Sequence, residues 1–104
     1  MAKNRAKSRN LAFDIDPKFL FNLWKEQEGK CRISGLDFDL RKPDKFNDTR
    51  YNAPSLDRII PEKGYIKGNV RLVLYQINAA MQQYGLEHFL TLCSVLNKNQ
   101  AQVS

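Results

Sequence analysis

Apolar positions along this chain change period twice, from helical to extended and back to helical. Phe19, Leu20, Leu23 and Trp24 recur at the spacing of one helical face. Asp16 and Pro17 precede them, an N-cap acceptor followed by a residue whose missing N–H is not needed in a first turn, and Gly29 stops the helix. Leu56, Ile59 and Ile60 then form a short apolar and β-branched run interrupted by Asp57 and Arg58. Pro61 ends it, Gly64 and Gly68 supply positions for positive φ, and Val70, Leu72, Val73 and Leu74 begin a second run. The pair predicts an antiparallel hairpin with a long turn. From Leu74 the apolar residues Ile77, Ala80 and Met81 return to helical spacing, so a helix follows the second strand directly. Leu86, Phe89, Leu90, Cys93 and Leu96 predict a last helix, expected to cover the core.

These elements make a single α+β domain over residues 13–97, flanked by a basic arm at 1–12 and a polar tail at 98–104 that need not be ordered. A chain of 104 residues with 42% hydrophobic content fills one core and cannot house two ordinary domains. Residues 39–54, with Asp39, Arg41, Lys42, Pro43, Asp44, Lys45, Asn47, Asp48 and Arg50, read as a surface connector. There is no internal repeat. No apolar run reaches the ~20 residues of a membrane span, and no hydrophobic signal core is present at the start. Two cysteines, Cys31 and Cys93, read as two buried thiols of a reducing compartment, so the expected location is the cytoplasm.

Charge narrows the partner. The formal net charge is +6, and Lys3, Arg5, Lys7 and Arg9 fall in the first ten residues with no acid among them. Such an arm can neutralise as many phosphates as it has cations, or can serve only as a solubilising terminus. An anionic partner, double-stranded DNA, is the expectation.

The hairpin and its helix hold the candidate chemistry. Asp57 lies in the first strand and Asn78 about one turn into the following helix, so both can face one cleft. A carboxylate and an amide carbonyl are hard oxygen ligands suited to Mg²⁺, Mn²⁺ or Ca²⁺, and two protein ligands leave room for water and phosphate oxygens. The plainer alternatives are a surface ion pair for Asp57 and a solvated Asn78. Trp24, on a helical apolar stripe, reads as packing rather than a base-stacking platform.

The segment Ser55–Asn78, SLDRIIPEKGYIKGNVRLVLYQIN, resembles the ββα-metal core of the HNH endonuclease superfamily, in particular its small, often phage-borne members. The match spans roughly Cys31 to Met81, with Asp57-Arg58-Ile59-Ile60-Pro61 on the first strand, Gly64-Tyr65 before the middle Asn69, and Asn78 in last place. The resemblance implies that Asp57 and Asn78 bind one Mg²⁺ or Mn²⁺, and that Asn69 braces the turn or a neighbouring catalytic residue. It also shows a departure: the family's general-base His is replaced by Arg58. A guanidinium stays protonated and only donates, so Arg58 can hold phosphate or pair with an acid but cannot take a proton. Glu62 and Lys63 in the turn, and His88 ten residues past Asn78, read as solvent-facing.

Upstream, GKCRISG resembles the knuckle that carries paired Cys-x-x-Cys zinc ligands in many of these proteins. Here Ser34 stands where the second thiol would be. No structural zinc is expected, the knuckle being held instead by Ile33, Leu36 and Phe38. The expected function is divalent-metal-dependent nicking or cleavage of DNA, with Asp57 and Asn78 on the cation, Asn69 orienting, and Arg58, Lys63, Lys67, Arg71 and the arm on phosphate. The alternative is a nucleic-acid-binding protein that keeps this scaffold without catalysis.

Overall fold

The computed structural model describes residues 12–41 and 50–103. Lys3, Arg5, Lys7 and Arg9 of the arm, and most of the polar connector, lie outside them.

Helix α1 (Pro17–Glu26) starts as its sequence dictates, with Asp16 Oδ1 accepting from the Phe19 N–H at 2.7 Å and Pro17 in the first turn. Strands β1 (Pro54–Arg58) and β2 (Val70–Leu74) pair antiparallel, with Leu56 opposite Leu72 and Asp57 opposite Arg71. A 3₁₀ turn at Pro61–Lys63 lies in the connection. Helix α2 (Tyr75–Met81) begins at the residue after β2, and α3 (Gly85–Val103) follows. The result is an α+β arrangement in which α2 packs back on both strands of a two-stranded sheet. None of these helices is long and apolar enough to cross a membrane.

Two apolar clusters hold the layers together. One gathers Cys31, Phe38, Leu72, Val73 and Leu74 beneath Trp24, which stacks on Phe38 with ring centroids 5.4 Å apart. The other joins Ile15, Tyr65 and Val70. Leu23 and Leu56 pack against both. Trp24 is therefore a core residue, as its helical stripe predicts.

Gln27, just past α1, does something its residue type did not announce. Its Oε1 accepts from the Leu72 N–H at 3.0 Å while its Nε2 donates to the Leu72 carbonyl at 2.9 Å and to the Lys30 carbonyl at 2.8 Å. One buried amide thus satisfies an edge residue of β2 and ties α1 to the sheet. At the far end of the molecule, Ala12–Asp14 runs beside Tyr65, with Tyr65 N–H donating to the Ala12 carbonyl and Asp14 N–H to the Tyr65 carbonyl. Gly64 is required there, since its φ is 77° and a Cβ would lie 2.5 Å from the Ala12 oxygen.

Four expectations need correction. The first strand ends at Arg58, and Ile59 and Ile60 are exposed in the turn, because Asn69 draws the backbone of Ile60 into side-chain hydrogen bonds instead of the ladder. Leu36 does not hold the knuckle: it is 54% exposed, whereas Phe38 is buried and Ile33 half-buried. The last helix does not close over the core. Only its first residues pack on α2, and the rest of the described side chains are exposed. It also runs to Val103, so residues expected in a polar tail from 98 onward continue the helix. Asn, Gln and Lys tolerate helix, and nothing in that stretch breaks it.

Candidate functional site

Below the hairpin a cleft of about 430 Å³ opens between β1 and α2, lined by Ser55, Asp57, Arg58, Tyr65, Asn78 and Gln82, among others. Asp57, Arg58 and Asn78, singled out from the sequence, thus come to one place. The hairpin supplies the first two and the helix starting at once after β2 supplies the third.

Asp57 is mostly buried and its Oδ2 accepts from Arg71 Nε at 2.8 Å. The ion-pair alternative for Asp57 holds, but as a cross-strand pair rather than a surface one. Its Oδ1 has no partner among the described residues, and no buried side-chain oxygen or nitrogen there lacks one, so Oδ1 opens to solvent. Asn78 is oriented from its nitrogen. Nδ2 donates to Ser55 Oγ at 2.8 Å and to the Leu56 carbonyl at 3.3 Å. A carbonyl only accepts, so this amide cannot be flipped without setting two oxygens against each other. Its Oδ1 is left for the open side, by the same reasoning as for Asp57.

Arg58 makes no ion pair among the described residues. Its Nη1 donates to the Pro61 carbonyl at 3.0 Å, and the guanidinium lies 5.2 Å from the centre of the Tyr65 ring. One of its five donors is thereby engaged, and the ring contact holds the guanidinium against Tyr65. Arg71, read from the sequence as a phosphate contact, is instead committed to Asp57, with its side chain 16% exposed. Lys63 and Lys67 are exposed, and the Lys67 ammonium sits 5.9 Å over the Phe19 ring.

Asn69 is buried and does not reach the cleft. Its Oδ1 accepts from the Ile60 N–H at 2.9 Å, and its Nδ2 donates to the carbonyls of Ile60 and Gly64 at 2.9 and 2.7 Å. It braces the turn that follows Arg58. Glu62 and His88 are exposed, the latter beside the Tyr84 ring, and neither lines the cleft.

At the knuckle, Cys31 Sγ accepts from the N–H groups of Ser34 and Leu74 at 3.3 and 3.4 Å. Burial pushes this thiol up, but the hydrogen bonds from Ser34, Leu74 and Ile33 outweigh it and leave it below its ordinary value. Cys93, expected to be buried like Cys31, is instead exposed on α3, whose side chains past its first residues do not pack on the core. Among the described residues no three His, Cys, Asp or Glu side chains gather as a metal cluster.

Sequence reasoning missed Ser55, Tyr75, Gln82 and Gln83 as cleft residues. A signal existed for two of them. Ser55 precedes Asp57 by two residues on a strand, hence on the same face, and Gln82 follows Asn78 by four at the spacing of one helical face.

No protein-family model, curated protein or solved structure matches this chain.

Proposed function

We propose that this protein is a divalent-metal-dependent DNA endonuclease of the HNH type, with a ββα-metal core formed by β1, β2 and α2. The observation that carries the reading is the shared cleft: one open carboxylate oxygen on Asp57, one open amide oxygen on Asn78, and the guanidinium of Arg58 beside them.

The donor set fits Mg²⁺ or Mn²⁺. Both open atoms are hard oxygens, and a two-ligand site keeps positions for water and substrate. When bound, the cation supplies charge neutralisation at the phosphodiester and acidity toward water. The chain's own groups do the rest. Asp57 and Asn78 hold the cation, Ser55 and the Leu56 carbonyl fix the Asn78 amide, and Arg58 donates to non-bridging phosphate oxygens. Asn69 keeps Arg58 in place indirectly, through the turn whose Pro61 carbonyl Arg58 binds. Among the described residues no side chain lining the cleft is placed to act as a general base in the manner of His. The second reading, a nucleic-acid-binding scaffold without cleavage, is favoured by that same feature and by the engagement of Asp57 with Arg71.

Incubating supercoiled plasmid with the protein and Mn²⁺ or Mg²⁺ separates the two. Nicking lost in Asp57→Asn and Asn78→Ala, both still folded, supports the enzyme. A silent wild type that gains nicking as Arg58→His supports the binding scaffold. Nicking that survives Asp57→Asn rejects the site.

A further inference from the structure

Two side chains on the α2 wall of the cleft have no task in the account so far. The Tyr75 ring lines the cleft at 47% exposure, and among the described residues neither its hydroxyl nor the side-chain amide of Gln82 has a hydrogen-bond partner. Tyr75, Asn78 and Gln82 follow one another at intervals of three and four, so the ring and the amide flank Asn78 on one wall. The root of the ring is pinned: the Tyr75 N–H donates to the Ala53 carbonyl at 2.8 Å and the Gln76 N–H to the Tyr51 carbonyl at 3.0 Å.

Gln82 carries a second signal. The Tyr84 N–H donates to the Met81 carbonyl at 2.9 Å, closing a turn with Gln82 and Gln83 at its centre. Gln82 sits there at φ 44° and ψ −123°, the first central position of a type II′ turn, where glycine is the ordinary residue. Any other side chain is strained in that backbone. Glutamine is thus kept at a cleft position where glycine would fit the fold better.

Three neighbours define the occupant. The Arg58 guanidinium calls for an anion, the Tyr75 ring for a flat face, and the Gln82 amide for an edge carrying both donors and acceptors. A nucleotide supplies all three. Base faces within a duplex are covered by their neighbours, so a ring in a concave site meets one only when the base has left its stack. The cleft, at about 430 Å³, is of small-ligand size.

We propose that the cleft takes an unpaired nucleotide, with Tyr75 stacking on the face of its base and Gln82 hydrogen-bonding to its edge, so that the substrate is DNA with a base outside the duplex. The inference rests on the reading of the cleft as a phosphodiester site. Tyr75 and Gln82 contact the substrate and take no proton from it.

Fluorescence anisotropy in EDTA tests it, using a blunt duplex, the same duplex with one bulged nucleotide, that bulge made abasic, and the corresponding single strand. Wild type is expected to bind the bulged duplex, the single strand or both about tenfold more tightly than the blunt duplex, and to lose that gain on the abasic bulge. Which of the two it prefers tells a distorted duplex from a free strand as the source. Tyr75→Ser, folded by circular dichroism, is expected to abolish the preference and Tyr75→Phe to retain it. Gln82→Gly is expected to melt no lower than wild type and yet to bind the bulge more weakly, a combination that a structural role would not give. The proposal is overturned if the blunt duplex or the abasic bulge binds as tightly as the intact bulge, if Tyr75→Ser keeps the preference, or if Gln82→Gly binds as wild type does. Base preference in EDTA without plasmid nicking under Mn²⁺ overturns the endonuclease reading alone, and nicking without base preference overturns this inference alone.

Discussion

Asp57 and Arg71 face each other across the hairpin, Nε 2.8 Å from Oδ2, with side chains only 10% and 16% exposed. The pair is both a structural tie and part of the candidate site, and the two roles separate experimentally. Removing one partner of a buried pair leaves the other charge uncompensated, at a cost of about 3–5 kcal/mol. Asp57→Ala is therefore expected to lower the urea unfolding free energy by roughly that much, and Asp57→Asn by less, because an amide oxygen still accepts from Nε. Replacing both residues, Asp57→Leu with Arg71→Met, is expected to recover most of the loss. An Asp57→Ala loss below about 1 kcal/mol would mean that solvent screens the pair.

Asn69 serves three backbone partners with one side chain, and that number sets the second expectation. Asn69→Ala leaves the Ile60 N–H and the carbonyls of Ile60 and Gly64 without it, in a turn where Gly64 is already held against Ala12. A loss on the order of 2–3 kcal/mol follows from desolvated groups of this kind. Asn69→Asp keeps the acceptor but replaces two donated hydrogen bonds by repulsion between oxygens, and is expected to be no better. Thermal unfolding of the two variants decides. If Asn69→Asp were as stable as wild type, the amide would not be the brace.

The local grammar of the chain accounts for much of this. The Asp16-Pro17 start, the Gly64 turn and the hairpin passing straight into a helix are legible because each rests on neighbours in sequence. The meeting of Asp57 and Asn78 in one cleft is legible for the same reason. What was not legible depends on distant partners. Nothing near Gln27 announces that its amide will meet the backbone of Leu72, forty-five residues away. Arg71 read as a free cation because strand register, not residue type, sets it opposite Asp57. The stripe on α3 is a correct helix signal with a wrong destination, since periodicity states which face is apolar and not what it meets.

Gln27 gives a third expectation. Gln27→Leu has similar bulk but leaves the Leu72 N–H at the sheet edge without Oε1, while the Leu72 carbonyl keeps the Arg32 N–H at 3.0 Å. The expected cost is about 1–3 kcal/mol. It is accompanied by faster amide exchange at Leu72 than at Leu74, which native-state hydrogen exchange resolves residue by residue. Unchanged protection at Leu72 would show that the edge is sealed by other means.

Cys31 makes stability depend on pH in a defined sense. Its thiol value is lowered in the fold from an ordinary 9.0, so the native state favours the thiolate more than the unfolded chain does. The stabilisation this contributes is fully present above 9.0 and is lost as pH falls through the lowered native value. Relative to Cys31→Ala, wild type is expected to gain stability as pH rises toward that limit. Urea unfolding of both proteins at neutral pH and just above the limit measures the difference. Parallel pH dependence in the two would remove the thiolate from the account.

The cations of the hairpin differ in what they have left to offer a phosphate. Lys63 and Lys67 are exposed, whereas Arg71 is already neutralised by Asp57. Removing one side chain that neutralises a phosphate lowers the slope of log affinity against log salt by about 0.9 on duplex DNA. If these two lysines contact DNA, then Lys63→Ala and Lys67→Ala are each expected to reduce the slope by about that amount. Arg71→Met paired with Asp57→Leu, which removes one charge of each sign, is expected to leave it nearly unchanged. Binding of a duplex over a salt series measures all three. A slope that falls for the paired variant and not for either lysine would mean that the phosphate path runs over the sheet and not along the turn.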